Sequence, residues 1–128
     1  MTENEKNNPT VSDKNDVAEW LNTDIENVRF YDVEQVSIDL FKKDAMEMLD
    51  SFDEFPKDRK RTEKILKEIA KTGIEYPMYV SKDDDFNFVM EGRHRMVAFL
   101  ILEKKTVPVC YVEVIDHSYA KKPTQKVK

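Results

Sequence analysis

The chain of 128 residues has a single cysteine, Cys110, which excludes an internal disulfide and a thiolate-rich metal site. Two histidines, His94 and His117, give no zinc constellation, so no metal site is expected. No apolar run approaches the roughly 20 residues of a membrane-spanning helix, and no membrane partner is expected. Met1 to Asn15 is polar and acidic, unlike a secretory signal. These absences predict a cytoplasmic protein. Cys110 lies within Val107-Pro108-Val109-Cys110-Tyr111-Val112, an apolar run that predicts a buried, inert thiol. Glycine is scarce too, with only Gly73 and Gly92, and each falls where a periodic segment ends.

What is present fits one small domain with a solvated surface, at 40% hydrophobic and 37% charged residues. The net charge of −5 is unevenly spread. Residues 1–55 carry 5 Lys/Arg against 15 Asp/Glu, and residues 56–128 carry 16 against 11. A basic C-terminal half could attract a polyanion, while the acidic half could repel one or engage a protein partner. An ordinary solvated surface of mixed charge has the same composition.

Residues 1–14 hold too little apolar surface to offset the entropy of ordering and are expected to form a disordered acidic N-terminus. Residues 15–34 form an extension, with a short helix from Asn15 to Leu21 carrying Val17, Ala18, Trp20 and Leu21. The main domain is expected over 35–116. It begins with a strand from Gln35 to Ile38. An amphipathic helix follows from Asp39 to Phe52, with Leu40, Phe41, Met46 and Leu49 inward. Pro56 interrupts the pattern, and a second helix from Arg59 to Thr72 turns Ile65, Leu66, Ile69 and Ala70 inward, ending at a Gly73 cap. Tyr76 to Val80 and Phe86 to Met90 read as a hairpin. Arg95 to Leu102 is apolar nearly all round and predicts a helix buried against a sheet. Val107 to Val114 predicts a central strand. Residues 117–128 form a flexible basic tail. The expected fold is α/β (α+β): a small mixed sheet flanked by helices, with a helical N-terminal extension.

The chemistry concentrates in Glu91-Gly92-Arg93-His94-Arg95, between a strand and the buried helix. A helix start presents unpaired N–H groups and the positive end of the dipole, which attract anions. Gly92 permits a sharp turn and close backbone approach to a ligand. Arg93 and Arg95 supply donors in fork geometry suited to phosphate, and His94 can serve as donor, acid or base. Three cationic or ionisable groups on one helix start oppose the dipole, so an anion should offset them. A bound phosphate or the neighbouring Glu91 could fill that role.

This pattern resembles the ParB/sulfiredoxin superfamily from Thr62 to Glu113. Its parts are a helix, Gly-Ile-Glu-Tyr-Pro-Met-Tyr-Val (Gly73 to Val80), a hairpin, Met-Glu-Gly-Arg-His-Arg-Met-Val-Ala (Met90 to Ala98) and Val-Pro-Val (Val107 to Val109). ParB-like domains carry glycine-glutamate-arginine-arginine at the turn, sulfiredoxin carries glycine-cysteine-histidine-arginine, and related free serine kinases carry a glycine-histidine-histidine-arginine-like version. The resemblance implies that Gly92, Arg93, His94 and Arg95 contact phosphates of a nucleotide or nucleic acid, and that Gly73 lines the base or ribose side. Tyr76 replaces the glutamine of ParB nucleotide switches. Arg93 replaces the reactive cysteine of sulfiredoxin, so sulfinic-acid reduction is not expected. A stand-alone ParB-like domain of the nuclease-like kind, common in phages and mobile elements, is the resulting expectation. A nucleoside triphosphate with magnesium is its implied cofactor.

For catalysis only Glu91 and His94 offer acid/base chemistry; a magnesium-dependent nucleotide hydrolase, nuclease or small-molecule kinase would use them. A non-enzymatic protein that binds a partner through its acidic N-terminal half, with a degenerate nucleotide site, is the alternative. Lys57-Asp58-Arg59-Lys60-Arg61 and the tail lysines Lys121, Lys122, Lys126 and Lys128 could add salt-sensitive contacts to nucleic acid. Asp83-Asp84-Asp85 fits a hairpin turn better than a calcium loop.

Overall fold

The computed structural model describes residues 8–83 and 87–115. The expectations for the first seven residues, for most of the aspartate turn and for the tail with His117 lie outside them. Helix α1 (Val11–Trp20) leads, through a 3-10 turn (Ile25–Asn27), to strands β1 (Val28–Phe30) and β2 (Glu34–Ser37). A second 3-10 turn (Ile38–Leu40) precedes α2 (Lys42–Asp50) and α3 (Pro56–Thr72). Strands β3 (Met78–Ser81) and β4 (Val89–Glu91), helix α4 (Arg93–Ile101) and strand β5 (Thr106–Val114) complete the order. This is a mixed α/β fold.

Strand β5 is the spine of the sheet, as its apolar run on both faces predicts. It pairs antiparallel with β1 and β2 along one edge and parallel with β3 along the other, and β4 closes the sheet beyond β3. Parallel strands need a crossover, and β4 with α4 supplies it. Side chains alternate between two cores, as strand geometry requires. Met78, Val80, Val89, Val107 and Val109 face Phe41, Ala45, Met96 and Phe99 beneath α2 and α4. Tyr79, Met90, Cys110 and Val112 face the opposite side, where Val17 and Ala18 of α1 cover them. The sheet thus lies between α1 and the other helices.

Several expectations shift. Helix α1 starts at Val11 rather than Asn15, capped by the Thr10 hydroxyl, which accepts from the Asp13 N–H at 3.0 Å. Residues expected to be disordered are therefore helical from Val11 onward. The Asp39–Phe52 helix is broken by the 3-10 turn, which rotates its apolar stripe. Phe41, Ala45, Met48 and Phe52 are buried, while Leu40 and Met46 are exposed. Pro56 does not precede α3 but opens it, where a missing N–H costs nothing. Thr62 of α3 is buried and donates to the Asp58 carbonyl, while Ala70 is exposed. Helix α4 starts at Arg93, and its last residue, Ile101, together with Leu102, is exposed, so the helix is not buried all round. Strand β1 carries no alternation long enough to signal it and was not expected. Among the described residues, no helix is long and apolar enough to cross a membrane.

Cys110 is fully buried, and its thiol lies 3.3 Å from the Tyr31 carbonyl. Burial pushes its pKa up to about 12. At pH 8 about one thiol in ten thousand is ionised, so the native protein should not react with a disulfide reagent over minutes. Reaction on adding denaturant, and none before it, is the expected trace.

Candidate functional site

Gly92 adopts φ +96 between β4 and α4. A Cβ there would stand 3.1 Å from the Met78 Cα and 3.4 Å from the Pro77 carbonyl oxygen. The glycine is needed because the turn packs on the start of β3; the close approach is to the protein's own backbone. Gly92 is also the N-cap of α4 and has no side chain to satisfy the first N–H groups, nor is there an acidic residue in the first turn.

The three cationic positions diverge from that turn. Arg95 passes the Pro77 carbonyl, donating to it at 2.9 Å, and ends on Asp13 of α1. Its two terminal nitrogens donate to the two Asp13 carboxylate oxygens at 2.8 and 3.1 Å. The Tyr79 hydroxyl donates to the same carboxylate at 2.9 Å. Asp13 is 5% exposed. Burial alone would lower the Arg95 ionisation, but the hydrogen bonds and charge of Asp13 outweigh it and raise it. Burial, reinforced by the Asp13 charge, pushes the Tyr79 phenol well above its ordinary range. The trio is an ion pair with the neutral Tyr79 hydroxyl bonded to its carboxylate.

His94 turns instead toward α3, with Nε2 2.9 Å from an Asp58 oxygen. Arg93 is exposed and makes no ion pair with a described residue. The carboxylates in direct contact with the turn's side chains are Asp13 and Asp58, while the neighbouring Glu91 acts on Arg95 and His94 through its charge. Neither was legible as a site residue: Asp13 sat in a polar stretch, and Asp58 in a basic run.

Glu91 is half-buried, and its pKa is raised, first by burial and then by the charges of Asp16 and Asp13, against the pull of Arg95 and His94. A carboxyl raised in the folded state favours folding most when protonated. That contribution is complete below its ordinary value of 4.5 and is lost as pH rises through the folded value. Glu91→Gln should therefore be more stable than the wild type at pH 7, with the difference vanishing toward pH 4. Denaturation midpoints at both pH values measure it; a variant less stable at pH 7 contradicts the burial effect.

Two clefts flank the turn. The first, about 480 Å³, lies between the end of α3, the segment leading to β3 and the head of α4. Ile69, Thr72, Ile74, Tyr76, Arg95 and Phe99 line it. The Arg95 guanidinium also lies 5.6 Å from the Tyr76 ring centre. Gly73, expected to line a ligand, caps α3 at φ +75 between Thr72 and Ile74, which line this cleft. The second cleft, about 470 Å³, is lined by Arg93 together with Asp44, Glu47, Asp58, Phe55 and Phe88. Arg93 and Arg95, expected to act together, thus face different clefts. Among the described residues, no group of three or more His, Cys, Asp or Glu side chains could hold a metal ion. Compared with known proteins, the chain matches no protein-family model, no curated protein and no solved structure.

Proposed function

We propose that the domain binds the phosphate of a nucleotide or nucleic acid at the head of α4, in the cleft bordered by Tyr76 and Arg95, as the ParB/sulfiredoxin-like proteins it resembles would. The observation that carries this reading is the two-pronged grip of Arg95 on the Asp13 carboxylate. The Arg95 fork already holds one oxyanion, the Asp13 carboxylate, and a ligand phosphate in the cleft would compete for the same donors. The apolar floor of Ile69, Ile74 and Phe99 beside Tyr76 and Arg95 suits a ligand with one planar apolar part and one anionic part.

Fluorescent ATP, CTP and single-stranded DNA titrated at moderate salt test the proposal. Wild type should bind weakly, because the ligand competes with Asp13. Asp13→Asn should bind about tenfold more tightly, and Arg95→Ala should not bind. If no ligand binds either the wild type or Asp13→Asn, the reading fails, and the partner-binding alternative with a degenerate site replaces it.

Hydrolysis is a second reading, favoured by the Asp58–His94 pair. A carboxylate on one imidazole nitrogen orients the ring and leaves the other nitrogen for proton transfer. It predicts magnesium-dependent turnover that His94→Ala abolishes and Asp58→Asn lowers. Binding without turnover under any divalent metal would leave recognition alone.

A further inference from the structure

The second cleft differs in chemistry from the first. Its rim carries the carboxylates of Asp44 and Glu47 on α2 and of Asp58 on α3, against the single cation Arg93. Its floor is Met48, Val89 and Met96, and its walls are Phe55 and Phe88. Phe55 is 55% exposed and Phe88 44%. Trp20, 56% exposed, lies against Phe88 with ring centres 5.7 Å apart and the ring planes tilted by 40°. The acidic character continues along the surface, since residues 39–54 hold six Asp/Glu and two Lys. Asp58 is engaged by His94, but Asp44 and Glu47 are exposed and make no ion pair with a described residue.

We propose that this groove is a docking site for a basic peptide segment of another protein, with Lys or Arg side chains set beside a large apolar residue. Charge complementarity selects the occupant. The rim repels a phosphate, so a nucleotide or nucleic acid is the wrong partner here. An apolar anchor fits between Phe55 and Phe88, and methionines beneath it adapt to different side chains. Lysine or arginine stems can lie along the ring faces while their charges reach Asp44 and Glu47. The lining of this groove shares no residue with that of the Arg95 cleft.

The test uses the full chain and a fluorescein-labelled twelve-residue peptide built of Leu and Lys in amphipathic order, read by anisotropy. Two control peptides replace every Lys by Glu, or every Leu by Ser. The Leu/Lys peptide should bind and neither control should. Asp44→Lys with Glu47→Lys should weaken binding at least tenfold, as should Phe55→Ala, with melting temperatures near that of wild type. Asp24→Lys with Glu26→Lys, the same charge change on the first 3-10 turn outside the groove's lining, should leave affinity within about twofold. Equal binding of the Ser-containing peptide, equal losses in the Asp24/Glu26 variant, or no binding at all overturns the proposal. So does self-association of the protein that disappears in Phe55→Ala, which would assign the groove to a second copy of this chain.

Discussion

Asp13→Asn is expected to lower the stability of the domain by about 3 kcal/mol while tightening phosphate binding at the proposed site. The substitution leaves the Arg95 guanidinium beneath α1 without its counter-charge, and breaking a buried pair from one side costs roughly 3–5 kcal/mol. Arg95 retains 19% side-chain exposure and its contact with the Pro77 carbonyl, which places the loss at the low end. The melting temperature should fall by roughly 10 °C. Asp13→Asn combined with Arg95→Met should lose less than Asp13→Asn alone, because no unpaired charge remains. Binding and stability are linked here. An anion that takes the place of Asp13 restores the missing charge, so inorganic phosphate should raise the melting point of Asp13→Asn more than that of the wild type. A variant that melts like the wild type would mean that Asp13 does not neutralise Arg95 in solution. A destabilised variant with no phosphate response would keep the ion pair as structure and remove it as a guide to ligand binding.

The same pair shows where sequence reading succeeds and where it stops. The periodicities that placed β5 at the centre, the hairpin of β3 and β4, and α4 against the sheet are local, and each was legible. Gly73 at the end of α3 and Gly92 before α4 were legible because a left-handed turn admits few other residues. The partners of the turn were not legible, because they are 82 and 36 residues away from Arg95 and His94. Asp13 lies in a stretch so polar that composition argued for disorder; one buried carboxylate with two partners, together with Val17 and Ala18, is enough to dock α1. The exposed Leu40 and Met46 fail for a related reason. Averaging over Asp39 to Phe52 treats the segment as one helix, while the 3-10 turn ending at Leu40 changes the phase of the stripe. The divergence of Arg93 and Arg95 follows from helix geometry, since residues two apart on a helix point to different faces.

The two glycines allow the largest single effect to be separated into its causes. Gly73→Ala places a methyl at φ +75 where nothing lies within 4 Å, so it should cost only the conformational penalty, about 1 kcal/mol. Gly92→Ala meets a comparable backbone penalty at φ +96, and its methyl would also press on the Met78 Cα and the Pro77 carbonyl oxygen, both main-chain atoms of the segment that begins β3. Backbone cannot rotate away as a side chain can, so either the turn or the strand must shift. A total of roughly 3–4 kcal/mol is expected, well above the Gly73 value. The shift also moves the start of α4 relative to Pro77, whose carbonyl accepts from Arg95 at 2.9 Å, so phosphate affinity should fall together with stability. Gly73→Ala, by contrast, should keep binding within about twofold, because the added methyl meets nothing within 4 Å. Urea denaturation of both variants, with anisotropy titrations below their transitions, measures the contrast. Equal and mild losses for the two would mean that the head of α4 does not pack on β3 as closely as 3.1 Å requires.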